Sequence, residues 1–177
     1  IQQLLDTKNQ RDRMLVLVGL YFGTRISEAL QLTFGDFHSK HVKIKSNKGS
    51  NNRNLTIPDE FRSELSSLKF YYLTKDCPVT DDTYLFLSQK KDKQGNCRPI
   101  SPEHAELIVR KMRQRCKLDR RVSSHSFRKN FTTKIHQLCK NNLVEVAVYT
   151  GHKNLSCLQH YIEHSKETNL TKQLNWI

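Results

Sequence analysis

The sequence lacks any apolar run long enough to cross a membrane. A transmembrane helix needs about 20 consecutive apolar residues, and no segment of the 177-residue chain approaches that length. No signal peptide is visible at the amino terminus. The five cysteines include no Cys-x-x-Cys pair, which argues against a zinc ribbon or a thioredoxin-like motif. We therefore expect reduced thiols in a protein of the cytoplasm.

Acidic residues are outnumbered by basic ones. Lys and Arg total 30 and Asp and Glu total 17, so the net charge is +13. Such an excess predicts a polyanionic partner: DNA, RNA or an anionic membrane surface. The basic residues are spread along the chain rather than gathered on one amphipathic face, which argues against the membrane. The charge therefore favours a nucleic acid as the partner.

The length suits one domain with its own core, and no internal repeat or low-complexity segment is present. Because the chain begins at Ile1 rather than at a methionine, we expect it to be part of a longer protein. The hydrophobic pattern predicts a mainly α fold with a small antiparallel β-hairpin. Helices are predicted at 11–24, 25–32, 59–73, 101–117, 124–140 and 143–150, with further helical stretches after 154, and strands at 41–45 and 53–58.

Five scattered features carry side chains that can handle a phosphate, although each has an ordinary explanation when taken alone. They are Arg25 with Glu28, Lys48 at the predicted hairpin tip, His125 with Arg128, Gly151 with His152, and Tyr161. His125 and Arg128 are three residues apart, so both lie on one face of the predicted helix. An Arg–Glu pair at the same spacing is common on helix surfaces, and a lysine at a hairpin tip often does no more than solvate the turn.

The spacing of His152 and Tyr161 makes a structural prediction. Nine residues of continuous α-helix make about 2.5 turns and about 13 Å, which places the two side chains on opposite faces. If both act on one atom, the chain bends between Lys153 and His160, or the tyrosine swings to another site. Either outcome predicts a loosely tethered tyrosine segment, in which His160 and His164 are bystanders.

The five features, in the order Arg…Lys…His-x-x-Arg…Gly-His…Tyr, resemble the catalytic domain of the tyrosine recombinases, the phage, plasmid and chromosomal integrases. The resemblance lies in "GLYFGTRISEALQLTFGDF", a lysine in a β-hairpin, "HSFRKNFTT" and "YTGHKNLSCLQHYIEH". It implies the fold of that domain and site-specific cleavage and rejoining of DNA through a covalent 3′-phosphotyrosine, with no metal, cofactor or ATP. It also implies a homotetramer on two duplexes, an isolated chain that is monomeric, and an amino-terminal DNA-clamping domain that this chain lacks.

The roles of the residues follow from the chemistry of phosphoryl transfer. Tyr161 is the candidate nucleophile, and forming its phenolate at pH 7 costs about 4 kcal/mol, so a base is needed. His125 is the candidate base. Lys48 is the candidate general acid for the leaving 5′-oxygen, chosen over Lys43 and Lys45 because "NKG" stands at the turn.

The remaining site residues are expected to bind the phosphate or to support the residues that do. Arg25 and Arg128 can each grip the non-bridging oxygens with paired hydrogen bonds, and His152 can add a third donor. Glu28 is expected to orient the Arg or His side chains. The candidate DNA-binding residues are Lys43, Lys45, Arg53 and Lys129; the family often has His at the last of these positions.

Three other interpretations remain open at this point. A type IB topoisomerase uses the same covalent chemistry but relaxes one duplex. A DNA-binding relative without activity would keep most of the pattern, with Tyr161 packed in a core. A metal-binding protein would use His152, His160 and His164, but acidic residues of the kind that usually support metal ligands are not evident nearby.

Overall fold

The computed structural model describes residues 2–46 and 50–158, and it confirms a mainly α fold with one small antiparallel hairpin. The described helices and strands, in chain order, are α1 (Gln10–Phe22), α2 (Ile26–Ala29), β1 (His41–Ile44), β2 (Arg53–Thr56), α3 (Asp59–Leu73), α4 (Pro102–Arg115), α5 (Ser124–Leu138) and α6 (Leu143–Thr150). Two short 3-10 helices stand at Gln2–Leu5 and Gly35–Phe37.

The helix boundaries follow local signals in the sequence. Ser101 caps α4 by accepting a hydrogen bond from the backbone N–H of His104, and Pro102 is the first helical residue. α1 and α6 both end at a left-handed glycine, Gly23 and Gly151. The second predicted helix is shorter than expected, since α2 covers only Ile26–Ala29.

α1 is the central helix, and it packs against both α3 and α5. Two glycines allow α5 to come close. A Cβ on Gly19 would lie 2.7 Å from the Cβ of Phe127, and a Cβ on Gly23 would lie 2.2 Å from the ring of Phe131. The two glycines are four residues apart along the chain, and so are the two phenylalanines, so each phenylalanine packs against one glycine. This close approach brings the first turns of α5 to the carboxyl end of α1.

The hairpin covers one side of the same region. Val42 pairs with Leu55 and Ile44 with Arg53, and all four side chains face the interior. Just before β2, Ser50 forms an antiparallel bridge with His152, and the N–H of Asn51 donates to the carbonyl of Gly151. The hairpin is therefore joined by its backbone to the turn that follows α6.

The expectation of five reduced cysteines is wrong for two of them. Cys77 and Cys97 form a disulfide across 20 residues of the irregular 77–99 segment, while Cys116, Cys139 and Cys157 are free thiols. The Cα atoms of Cys77 and Cys97 lie 6.1 Å apart, a separation that a disulfide can span. The sequence spacing could not show this, because the pairing depends on how the segment folds back on itself.

Among the described helices, none is both long enough and apolar enough to cross a membrane.

Candidate active site

Arg25 is positioned by the way α1 ends. Gly23 adopts a left-handed conformation with φ of 57°, and its N–H donates to the carbonyl of Gly19, which closes the helix. Two residues later, Arg25 is extended, and its backbone N–H donates to a carboxylate oxygen of Glu28 at 3.0 Å. Its guanidinium donates to the other oxygen of that carboxylate at 2.9 Å and also to the hydroxyl of Ser50. The Arg25 side chain is 37% exposed, so it can reach a ligand in solvent.

Glu28 is the anionic centre of the site. Its side chain is fully buried, 2.9 Å from a guanidinium nitrogen of Arg25, 2.9 Å from one of Arg53 and 4.0 Å from one of Arg128. Burial alone would raise the pKa of Glu28, but the hydrogen bond and charge of Arg53, with the charge of Arg128, hold the pKa below its ordinary value. Glu28 is therefore a carboxylate that balances part of the charge of three arginines.

Arg53, a candidate DNA-binding residue, is buried in the structure. Its side chain has no exposed surface, and its guanidinium donates to the carbonyls of Phe22 and Gly23 and to Glu28. Like Arg128, Arg53 offers almost no surface to DNA in this arrangement, so its DNA-binding role stays a prediction. Arg53 instead satisfies carbonyls at the end of α1 and holds Glu28 in place.

Arg128 lies where two helices end. Its guanidinium donates to the carbonyl of Gly23 at 2.6 Å, just after α1, and to the carbonyl of Thr150 at 2.8 Å, the last residue of α6. The carboxyl end of a helix carries partial negative charge, so both contacts favour a cation here. The same guanidinium lies 3.4 Å from Nε2 of His152. Arg128 is 1% exposed, so a phosphate can reach it only if neighbouring groups move.

His152 follows the left-handed Gly151 and is partly buried. Nδ1 of its ring lies 2.6 Å from the hydroxyl oxygen of Thr150. Burial, together with the charges of Arg128, Arg25 and Arg53, lowers the pKa of His152 to about 4. The ring is therefore neutral at pH 7 in the absence of a bound anion.

His125 is exposed in the first turn of α5. It lines a cleft together with Arg25, and Glu106 and Ser124 line the same cleft. Burial of part of the ring, and then the charges of Arg128 and Arg25, lower the pKa of His125, while Glu106 opposes them. A neutral imidazole at pH 7 is the form that a general base requires.

The chain does not continue as a helix directly after His152, and the predicted relation of His152 to Tyr161 stays a prediction because Tyr161 lies outside the described residues. Residues 153–155 are not helical, and helical structure resumes at 156–158, where the side chain of Asn154 accepts a hydrogen bond from the N–H of Ser156. His152 is therefore not on one straight helix with the residues that follow it.

Two of the six predicted catalytic residues, Lys48 and Tyr161, lie outside the described residues, as do His160 and His164. The structure brings together Arg25, Glu28, His125, Arg128 and His152 from segments more than 100 residues apart. Of the candidate DNA-binding lysines, Lys43, Lys45 and Lys129 are exposed.

Sequence reasoning missed two polar groups at the site, Ser50 and Thr150. Ser50 contacts Arg25, and Thr150 contacts both Arg128 and His152. The only sequence signal for Thr150 is a hydroxyl two residues before the histidine, which is too common to stand out.

The arrangement suits an anion of the size of a phosphate group. Guanidinium groups and imidazole rings converge on one region, and the carboxylate of Glu28 is buried beneath the arginines. Such a set can stabilise charge that develops on phosphate oxygens without a metal ion.

Residues 1–168 match the model of the phage integrase family, so the chain belongs to that family, the tyrosine recombinases. It is 33% identical over 167 residues to a tyrosine recombinase of Pseudothermotoga lettingae, covering 92% of this chain and 53% of that protein. It is 27% identical over 176 residues to the tyrosine recombinase XerA of Thermococcus onnurineus, covering 94% of this chain and 57% of that protein.

Solved structures show the same fold. The crystal structure of XerA recombinase matches with a TM-score of 0.71 at 20% identity, over 97% of this chain and 60% of that one. XerH recombinase, bound to its palindromic difH substrate, matches with a TM-score of 0.73 at 24% identity, over 99% of this chain and 50% of that one. The chain spans about half the length of the curated relatives it matches.

Proposed function

We propose that residues 1–177 form the catalytic domain of a site-specific DNA recombinase or integrase, which cleaves and rejoins strands through a covalent 3′-phosphotyrosine without metal or ATP. The observation that carries the proposal is the convergence of Arg25, Arg128 and His152 around the buried Glu28. Membership of the phage integrase family supports it, and the relatives compared above are themselves named tyrosine recombinases.

Tyr161 supplies the nucleophile in this proposal. Its phenolic oxygen forms a bond to the phosphorus, the bond from phosphorus to the 5′-oxygen breaks, and the phenolic proton passes to His125. Lys48 gives a proton to the leaving 5′-oxygen. A 5′-hydroxyl from another strand then attacks the phosphotyrosine and reverses these steps, which reseals the strand without ATP.

Arg25 and Arg128 stabilise the negative charge on the non-bridging oxygens in the transition state. Arg25 is open to solvent and meets the phosphate first, whereas Arg128 is buried and makes contact after the neighbouring groups move. Glu28 holds both guanidiniums in a fixed relation. These positive charges do the work that metal ions do in other phosphoryl-transfer sites.

Double-stranded DNA is the proposed partner, with the exposed Lys43, Lys45 and Lys129 contacting its backbone. We expect an isolated chain to be monomeric and four protomers to assemble on two duplexes. The proposed compartment is the cytoplasm, in association with the nucleoid if the protein is bacterial and in the host cytoplasm if a virus encodes it.

Trapping the covalent intermediate tests the proposal. The chain is incubated in EDTA with a nicked suicide duplex, from which the short released fragment, which carries the free 5′-hydroxyl, diffuses away so that the strand cannot be resealed. We expect a protein–DNA adduct on a denaturing gel, and its loss in Tyr161→Phe. The matched control is Tyr84→Phe, which removes a phenolic hydroxyl from a 40%-exposed tyrosine in the 77–99 segment and should leave the adduct unchanged.

Two results would contradict the proposal. An adduct that persists in Tyr161→Phe would assign the nucleophile to another residue, and an adduct that forms only with added metal would contradict the metal-free chemistry. A second recombination site in the same tube distinguishes strand exchange from simple relaxation: joined products from two duplexes indicate a recombinase, and relaxation of one supercoiled duplex alone indicates a topoisomerase.

A further inference from the structure

The hydroxyl of Thr150 stands between a helix carbonyl and the ring of His152. Thr150 is the last residue of α6 and is 0% exposed. Its Oγ1 lies 2.8 Å from the carbonyl oxygen of Val146, one turn back along the helix, and 2.6 Å from Nδ1 of His152. Both distances are short enough for a hydrogen bond.

A hydroxyl has a single proton, so it can donate to only one of these two neighbours. If Thr150 donated to Nδ1 of His152, its oxygen and the Val146 carbonyl would be two acceptors 2.8 Å apart in a buried place, which costs free energy. If Thr150 donates to the carbonyl, its oxygen can accept from a protonated Nδ1. Only the second arrangement satisfies both contacts.

The opposite side of the ring agrees with this arrangement. Nε2 of His152 lies 3.4 Å from a guanidinium nitrogen of Arg128, which carries only donors. An Nε2 without a proton can accept from Arg128, whereas an Nε2–H in a neutral ring would place two donors against each other. The contacts of both ring nitrogens therefore point to the same tautomer.

We propose that Thr150 is a positioning residue, which fixes His152 in the tautomer with the proton on Nδ1 through the relay His152 Nδ1–H to Thr150 Oγ–H to the Val146 carbonyl. The inference concerns the protein without DNA and deepens the proposed function at the same site. In that context it has a consequence, which rests on the proposed function: His152 can donate from Nε2 to a phosphate only after it gains a proton.

The charged groups around the ring make that proton uptake dependent on the ligand. Arg128 of α5, Arg25 ahead of α2 and Arg53 of β2 all disfavour the imidazolium, and Glu28 of α2 favours it. A phosphate placed against these arginines adds negative charge and favours the imidazolium. His152 therefore changes from acceptor to donor when the phosphate arrives.

Nitrogen-15 NMR of the histidine side chains tests the inference on the chain without DNA. In two-bond 1H–15N spectra at pH 7, a protonated ring nitrogen resonates far upfield of a bare one, and His152 is assigned by its loss in His152→Gln. We expect the upfield signal at Nδ1 and the downfield signal at Nε2. The opposite pattern, with the proton on Nε2, would overturn the inference.

Substitutions separate the hydroxyl from the shape of the side chain. Thr150→Val removes the acceptor, and we expect the proton to shift toward Nε2. Thr150→Ser keeps a hydroxyl and should restore the Nδ1–H pattern. The matched control is Thr132→Val, which removes another fully buried threonine hydroxyl and should leave the His152 signals unchanged.

The outcomes distinguish this inference from the proposed function. An unchanged Nδ1–H signal in Thr150→Val would mean that another group holds the tautomer, and the inference would fail. If Thr150→Val does not fold, the wild-type and Thr150→Ser spectra still decide the tautomer. A chain that shows the Nδ1–H pattern but forms no adduct with the suicide duplex would keep this inference and lose the proposed function.

Discussion

At the scale of single residues, the site depends on the balance between buried positive and negative charges. Three guanidiniums surround one buried carboxylate, and breaking such a buried arrangement is far more costly than breaking an exposed ion pair. Two of the arginines are also held by carbonyls at helix ends, which carry partial negative charge. Glu28 and these carbonyls together hold closely spaced positive charges in place before any phosphate arrives.

Glu28→Gln should therefore destabilise the domain strongly. It leaves Arg53 and Arg128 buried without their anionic partner, and we expect the free energy of unfolding to fall by about 3 kcal/mol. Urea denaturation at pH 7 measures this fall in the free energy of unfolding. The matched control is Glu64→Gln, which breaks a partly exposed pair with Arg13 and should cost less than about 1 kcal/mol.

Glu28→Gln should also change how the stability of the domain depends on pH. Because the pKa of Glu28 is lowered in the folded state, its contribution to stability is fully present above its unfolded pKa of about 4.5 and is lost as the pH falls through the folded value. Glu28→Gln should therefore lose less stability than the wild type on going from pH 5 toward acid. An equal loss in both proteins would argue against a charged Glu28.

At the scale of secondary-structure elements, the site depends on how closely α5 approaches α1. Gly19 and Gly23 leave room for the rings of Phe127 and Phe131, and this proximity lets Arg128 reach the carbonyl of Gly23. The hairpin and α6 close the site from the other side through the Ser50–His152 bridge. Helix packing and one backbone bridge therefore place the arginines and His152 in relation to one another.

Gly23→Ala tests the approach of the two helices. Its φ of 57° is strained for alanine, and the added Cβ would also overlap the ring of Phe131. Gly95→Ala is a matched control, since Gly95 has a φ of 83° but no atom within 4 Å of the new Cβ. We expect a loss of about 1 kcal/mol for Gly95→Ala and about 2 to 3 kcal/mol more for Gly23→Ala, measured by thermal or urea unfolding. Equal losses would mean that the contact with Phe131 is unimportant.

At the scale of the whole molecule, the dominant property is the net charge of +13. The candidate active site holds only a few of the charged residues. Most of the net charge therefore lies elsewhere on the protein, where it can neutralise DNA phosphates along a duplex. The disulfide between Cys77 and Cys97 adds a covalent connection at the end of α3, in the irregular segment that contains Tyr84. The disulfide cysteines are not among the residues that meet at the site.

The charge predicts a steep dependence of DNA affinity on salt. For about six phosphate contacts, log K should fall with log[salt] at a slope near −5. Removing one contact in Lys129→Gln, beside Arg128 on α5, should reduce the magnitude of the slope by about 0.9. Lys69→Gln is the matched control and should leave the slope unchanged, because Lys69 lies far from the site. Its neighbours Ser66, Ser67 and Phe70 line a groove with Gln10, which is at the opposite end of α1 from the site. A slope that is flat in the wild type would contradict electrostatic binding.

Local patterns in the sequence determined most of the secondary structure. α3 covers the predicted 59–73 range, α1 and α6 end at glycines, and Ser101 with Pro102 begins α4. These features are predictable because capping, helix period and turn chemistry involve residues within one turn of each other.

Only the tertiary structure decided which basic residues face a ligand and which support the site. Arg53 looked like a surface cation in an alternating strand, but its partners are Glu28, 25 residues away, and carbonyls 30 and 31 residues away. The Cys77–Cys97 pairing was equally invisible in the sequence. Burial of a charge or a hydroxyl depends on groups that the fold brings together from distant segments, and no local pattern records them.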